Sequence, residues 1–216
     1  MLDVGLQRLQ ELAEVHGVPG TQAWLSSALD AIDPDALSGV RVLLARSARK
    51  VGDAPLPASE LQAEGWTARD VARAALVLRV FERAALDVAV TAYGQWLRRG
   101  EQGEQESLLR MLPLLPEPKR LVSHAVEACR TNSEVVFRAI ACGNPFPAAH
   151  FPDDNFNQLV LKAVFMGVPV GEIEGLSGRI TTELLRMADD FAAERTAAAR
   201  PVPTDIGLLH QLFESR

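Results

Sequence analysis

The chain has 216 residues, of which 48% are hydrophobic and 23% charged, which is the usage of a folded globular protein and not of a largely disordered chain. Aromatic residues make up only 6% and there is a single tyrosine, so the composition favours helix over sheet. The formal net charge of −6 opposes nucleic acid binding, and we interpret the cations Arg41, Arg46, Arg49 and Lys50 as a solvated helix face.

Several functional classes find no support in the sequence. Cys129 and Cys142 lack metal-ligand spacing and are too few for a disulfide scaffold, so we expect reduced thiols in a cytoplasmic protein. The first fourteen residues do not form a signal peptide, and charges interrupt the apolar runs, so we expect no membrane insertion. No phosphate-binding glycine loop, nucleophile elbow or HExxH motif is present, and we expect no cofactor and no metal.

Apolar residues recur with helical spacing from the beginning of the chain. A first helix is expected to end at Gly17, Thr21 to cap the second, and Pro34 to begin the third, whose apolar stripe stops at Gly52. The proline-containing segment 53–65 is predicted to be a loop or linker. It separates N-terminal helices in residues 1–52 from a helical region in residues 66–216, and we expect all of them to form one continuous domain.

The remaining helices are short and follow one another closely. Thr67 and Asp70 resemble a capping box at the start of a helical region that breaks in two near Ala85 to Asp87. A leucine-rich helix then ends at Pro113, and Ser133 can cap a later one. We predict an all-α fold of stacked helical hairpins, similar to the α-solenoids of HEAT or armadillo repeats, although no strict repeat period is present.

The stretch from Asn144 to Phe165 is the most informative part of the chain. Proline fixes its own backbone and restricts the residue before it, so Asn144-Pro145-Phe146-Pro147 predicts a stiff, extended turn through which no helix runs. Asp153 and Asp154 suit the amino terminus of the following helix.

On that helix, Asn155, Gln158 and Lys162 form a narrow polar stripe, which we interpret as the wall of a cleft. Asn157 falls within the apolar arc and needs hydrogen-bond partners if it is buried. The candidate residues for binding a ligand or partner are Asn144, His150, Asn155, Asn157, Gln158, Lys162 and, from a later helix, Arg195. The alternative is that they are structural: asparagines at helix ends, a solvated histidine, a surface lysine and an arginine that extends to solvent near a helix end.

The second half of the chain contains several long and unusual runs: Ala128-Cys129-Arg130-Thr131-Asn132, Asn144-Pro145-Phe146-Pro147, His150-Phe151 and Phe156-Asn157-Gln158-Leu159-Val160-Leu161-Lys162-Ala163, with Gly175-Leu176 and Arg179 later. In these runs, from about Leu108 to Val202, the sequence resembles the EboA family. The first hundred residues carry little of it. The chain departs from the pattern at Ala199, where a glycine is expected before Arg200, and this bears on the local turn.

The resemblance implies a gene set for handling or export of a secondary metabolite, with enzyme-like and membrane prenyltransferase-like partners, and no known activity for this component. Since no carboxylate pair is placed for acid and base work, we expect no catalytic residues. Our leading hypothesis is a noncatalytic helical adaptor or carrier that binds a metabolite or a protein of the same gene cluster. The alternative is an enzyme acting on an anionic metabolite, with a site made of His150, Asn157, Lys162 and Arg195.

Overall fold

A computed structural model describes residues 4–61 and 65–215, and every regular element in these ranges is helical. The prediction of an all-α fold is therefore confirmed. Part of the predicted linker 53–65 falls on residues 62–64, outside the described residues; elsewhere the segment contains a short helix and a backbone bridge from Pro55 to Thr67. Among the described residues, no helix is long and apolar enough to cross a membrane.

The chain divides into two compact units, Met1–Ala128 and Cys129–Arg216. The helices of the first unit are α1 (Leu6–His16), α2 (Thr21–Asp30), α3 (Ser38–Val51), α4 (Ala58–Leu61), α5 (Ala68–Arg83), α6 (Leu86–Arg99), α7 (Gln102–Arg110) and α8 (Val122–Ala128). Those of the second are α9 (Glu134–Ala141), α10 (Phe146–His150), α11 (Asp153–Met166), α12 (Leu176–Arg179), α13 (Thr182–Ala197) and α14 (Asp205–Glu214). The break between α5 and α6 lies at Ala84 and Ala85, close to its predicted place.

Helix α5 is the core of the first unit, with α1, α2, α3 and α7 packed against it. Small and branched residues from Val71 to Val77 are fully buried, which allows close approach of neighbouring helices on several sides. The predicted capping box is confirmed: Thr67 Oγ1 accepts from the Asp70 amide, and the Asp70 carboxylate accepts from the Thr67 amide at 3.0 Å.

Asp70 and Arg73 are also buried in this core, where an unpaired charge would be costly. The Ser107 hydroxyl donates to the Asp70 carboxylate, and Arg110 donates to it at 3.1 Å. The Arg73 guanidinium donates to Ser47 Oγ at 2.9 Å and to Ser107 Oγ at 2.9 Å, so Ser107 links the two charged residues. Burial lowers the pKa of Arg73, and the nearby positive charge of Arg69 lowers it further.

Two predicted helix starts in the first unit are wrong. Thr21 is the first residue of α2 and not its cap, because Gly20 holds the capping position. The Thr21 hydroxyl donates to the Val18 carbonyl at 2.7 Å. Helix α3 begins at Ser38, and Pro34 lies in the preceding turn. The predicted end of α3 at Gly52 is confirmed; this glycine has a φ of +82°, which lets the chain turn away there.

In the second unit, α11 packs against α9 and α13, and α14 packs against α13. Ser133 caps α9 as predicted, with its hydroxyl accepting from the Val136 amide at 3.4 Å. The predicted apolar arc of α11 is buried, from Phe156 to Val164.

The prediction for Asn144 to Pro147 is wrong in one respect, because α10 begins inside this motif, at Phe146. Pro147 stands in the first helical turn, where the missing proline N–H would have had no partner within the helix. The motif therefore starts a short helix and does not exclude one.

Candidate functional site

Asn144 fixes the turn that precedes α10. It is 3% exposed, its Nδ2 donates to the Ala139 carbonyl at 3.0 Å, and its Oδ1 accepts from the Phe146 amide at 3.1 Å. The side chain thus joins the end of α9 to the beginning of α10. These bonds are those of a residue that shapes the backbone.

Arg179, from α12, joins α10 to α11 and was not among the predicted site residues. It donates to the Ala148 carbonyl, to the Phe151 carbonyl at 2.8 Å and to the Asp153 carboxylate at 2.9 Å. Its guanidinium lies 4.7 Å from the centre of the Phe156 ring. The one signal in the sequence was its place among the residues that carry the family resemblance.

Lys162 is half-buried and its ammonium is engaged by the backbone. Nζ donates to the carbonyls of Cys129 and Thr131, both at 2.6 Å, and lies 5.4 Å from the centre of the Phe137 ring. Carbonyls and an aromatic face together replace much of the hydration of a buried ammonium. Lys162 therefore holds the segment before α9 against α11.

Asn157, which falls within the apolar arc of α11, is 3% exposed. Its Nδ2 lies 3.5 Å from Thr181 Oγ1, a hydroxyl that also accepts from the Leu184 amide at 3.0 Å and so caps α13. Its Oδ1 has no hydrogen-bond partner in the ranges 4–61 and 65–215. The amide thus lies between α11 and the beginning of α13 with one polar atom unsatisfied.

The remaining members of the predicted stripe vary in exposure. Asn155 is half-buried and Gln158 is exposed. His150, at the end of α10, is half-buried, with its ring centre 4.9 Å from that of Phe146. Burial raises the pKa of the Cys129 thiol to about 12 and that of Cys142 to about 11, so neither is an activated nucleophile.

An exposed aromatic residue adjoins this stripe. Phe165, on α11, is 73% exposed, and its ring centre lies 6.2 Å from that of Phe191 on α13. Leu161 lies one turn before Phe165 and Gln158 lies two turns before it, on a shared side of α11. We refer to Gln158, Leu161, Phe165 and Phe191 as the aromatic surface.

Arg195 lies at the carboxyl end of α13. Its Nε donates to the Pro201 carbonyl at 3.1 Å, and its own carbonyl accepts from the Arg200 amide at 2.9 Å. The guanidinium thus has the partner that its position required, and this partner belongs to the turn after α13. The geometry brings Asn144, Asn157 and Lys162 into the packing of α9, α11 and α13, while Arg195 closes a helix end.

In a comparison with family models, residues 42–210 match the family described as metabolite traffic protein EboA. The match covers well over half of the chain. The chain belongs to the EboA family. Comparisons with curated proteins and with solved structures gave no significant match.

The EboA match is longer than the resemblance found in the sequence. It begins at residue 42, within α3, whereas the resemblance began at about Leu108. Helices α3 to α7 of the first unit therefore belong to the family region together with the second unit. Those helices have alanine- and leucine-rich sequences, which are common to many helical proteins, and so they carried little of the resemblance.

Proposed function

We propose that this chain is a noncatalytic helical adaptor or carrier for the handling or export of a secondary metabolite, and that it binds through the aromatic surface. The family description, a metabolite traffic protein, supports the general role. The observation that carries the finer proposal is Phe165, a large aromatic side chain that is 73% exposed beside a second aromatic ring.

Burial of a phenylalanine side chain in an interface gains about 2 kcal/mol, and aromatic residues are frequent energetic centres of protein interfaces. Gln158 supplies an exposed amide on the same side of α11, and an amide can fix the orientation of a bound group. An apolar centre with a polar edge suits a protein partner or an apolar metabolite.

The enzyme alternative requires cations that are available to an anionic substrate. The Lys162 ammonium already donates to two carbonyls, and the Arg195 guanidinium donates to a third. Recruitment of Lys162 by a substrate would leave the carbonyls of two half-buried residues, Cys129 and Thr131, without this donor, at a cost of about 1–3 kcal/mol each. The bond from Arg195 to Pro201 is exposed, so water can replace it. This cost favours the adaptor over the enzyme.

We further propose that the partners are products of the same gene cluster, among them a membrane prenyltransferase-like protein, and that the chain acts in the cytoplasm. The helical hairpins stack in the manner of a HEAT or armadillo solenoid, a proposal supported within the second unit by the packing of α11 between α9 and α13. An experimental structure of the full chain in which successive hairpins lack this stacking would contradict the last point.

The proposal is tested in the native host with a tagged chain and identification of the recovered proteins and metabolites by mass spectrometry. We expect Phe165→Glu to abolish recovery of cluster products or metabolite. Val135→Glu is the matched control, because it introduces the same charge at a residue that is 45% exposed on α9. Equal recovery with both variants would contradict the aromatic surface.

The enzyme alternative is tested in the same host by single substitutions that leave the aromatic surface intact. His150→Ala, Asn157→Ala, Lys162→Met and Arg195→Ala are assayed for pathway product, together with the thermal stability of each purified variant. A stably folded variant that loses product while it still recovers its partners would favour the enzyme. Loss of product only in proportion to loss of stability would favour the adaptor.

A further inference from the structure

Helix α3, in the first unit, carries four cations and no acidic residue between Ser38 and Gly52. Its buried side is formed by Val40, Leu44, Ser47 and Val51. With an advance of 100° per residue, Arg46 and Arg49 lie near the centre of the opposite side, and Lys50 lies at its margin. The positive charge of this helix therefore points away from the core.

The cations of this face have few partners. Arg41 donates to the Arg99 carbonyl at 3.0 Å, which satisfies the end of α6. Within residues 4–61 and 65–215, no carboxylate forms an ion pair with Arg46, Arg49 or Lys50. The nearest acidic residue along the chain, Asp53, pairs with Arg69 at 3.1 Å.

Two exposed valines accompany these cations. Val42 is 55% exposed and lies at the centre of the outward side of α3. Val18 is 44% exposed, and its amide donates to the Val51 carbonyl at 2.9 Å, which places it beside the last turn of α3. We refer to Arg46, Arg49, Lys50, Val42 and Val18 as the basic face.

We propose that the basic face docks this protein on the surface of an anionic membrane. Cations attract the negative headgroups, and the valines enter the boundary between headgroups and acyl chains. The fourteen residues of α3 form a helix about 21 Å long, which can present all three cations to a plane at once. The valines favour a lipid surface over nucleic acid, because phosphates gain nothing from apolar contact.

This inference goes beyond the proposed function, because it concerns the first unit and requires no cluster protein or metabolite. The net charge of −6 repels the same membrane at long range, so docking depends on the face that lies within a Debye length of about 8 Å. Binding should therefore be reversible and sensitive to salt.

The test is co-sedimentation of the full chain with vesicles of phosphatidylcholine that contain about one third phosphatidylserine, against vesicles of phosphatidylcholine alone. We expect binding to the first vesicles only, with loss of binding in about 1 M salt. The double variant Arg46→Gln with Arg49→Gln should lower the partition coefficient on the order of 30-fold, at about fivefold for each cation. Val42→Ser should weaken it about threefold while leaving the salt dependence unchanged.

The matched control is Lys119→Gln with Arg200→Gln, which removes the same charge from two exposed residues outside α3. This control should bind as the unmodified chain does. Equal loss in both double variants would show that only net charge matters and would overturn the proposal. Absence of vesicle binding would also overturn it. So would a chain that binds a short DNA duplex or single-stranded RNA but no vesicles, and that loses this binding in the double variant Arg46→Gln with Arg49→Gln.

Discussion

Ala199 and Gly167 occupy the same position in two helix endings. Each follows its helix with a positive φ, +52° for Ala199 and +74° for Gly167. In each case the next amide donates to the carbonyl five residues earlier, Arg200 to Arg195 and Val168 to Ala163, both at 2.9 Å. This is the Schellman ending, which glycine adopts without steric cost. Ala199, where the resemblance to the EboA family implied a glycine, therefore lies at a strained backbone position.

We expect Ala199→Gly to stabilise the protein by about 1 kcal/mol, because the substitution removes the clash of Cβ with the backbone in the left-handed region. Gly167→Ala should destabilise it by about the same amount. Denaturant unfolding of both variants measures the two differences. A destabilised Ala199→Gly variant would show that the greater freedom of glycine in the unfolded chain lowers stability by more than the relief of strain raises it.

Gly94, in the middle of α6, allows the His124 ring of α8 to approach its backbone. A Cβ on Gly94 would lie 2.7 Å from both ring nitrogens of His124. We expect Gly94→Ala to cost about 2 kcal/mol of unfolding free energy through overpacking.

The contact is isolated by a double-mutant cycle with His124→Ala. In the His124→Ala background, Gly94→Ala should cost little or become favourable, because alanine is the better helix former. If the effects of the two substitutions simply add, the cost of Gly94→Ala does not arise from the contact with His124.

His124 also makes stability depend on pH. Burial lowers the pKa of its imidazole, and the positive charge of Arg98 lowers it further. The unfolded chain, with the ordinary pKa of about 6.5, therefore binds more protons than the folded chain in the interval below that value. Stability should be unaffected by His124 above about pH 7 and should fall as the pH decreases from about 6.5 through the folded pKa.

The measurement is the free energy of unfolding of the original chain and of His124→Gln at several values between about pH 8 and pH 5. The difference between the two proteins should be constant above about pH 7 and shift in favour of His124→Gln as the pH falls. A difference that does not change with pH would contradict the assignment.

Asp70 is the acceptor of the buried network in α5. Asp70→Asn replaces one acceptor oxygen by an NH₂ group, which faces either the Thr67 and Arg110 donors or the Ser107 hydroxyl. It also removes the carboxylate that does most to raise the pKa of the buried Arg73. We expect a loss of about 3–5 kcal/mol in unfolding free energy. Arg110→Gln should cost less, because Arg110 is 22% exposed and water can replace part of its bond. Equal losses in thermal unfolding would show that the pair with Arg110, and not the complete network, carries the stabilisation.

The sequence alone determined the helical class and most of the local structure. The Thr67 and Asp70 capping box, the Ser133 cap and the end of α3 at Gly52 were all predicted, because each depends on residues within a few positions of one another. The family resemblance likewise came from long local runs, although the match begins much earlier than those runs did.

Only the tertiary structure decided what the polar side chains contact. Lys162 finds carbonyls more than thirty residues earlier in the chain, Arg179 joins α10 to α11, and Ser107 links Asp70 to Arg73. A helical period gives the direction in which such a side chain leaves its own helix, but it contains no information on which backbone group lies there. Of the residues that the sequence offered as a binding site, Asn144, Asn157 and Lys162 are therefore held in the packing of the second unit. Carbonyls near the ends of helices need donors, and the Lys162 ammonium and the Arg195 guanidinium supply them.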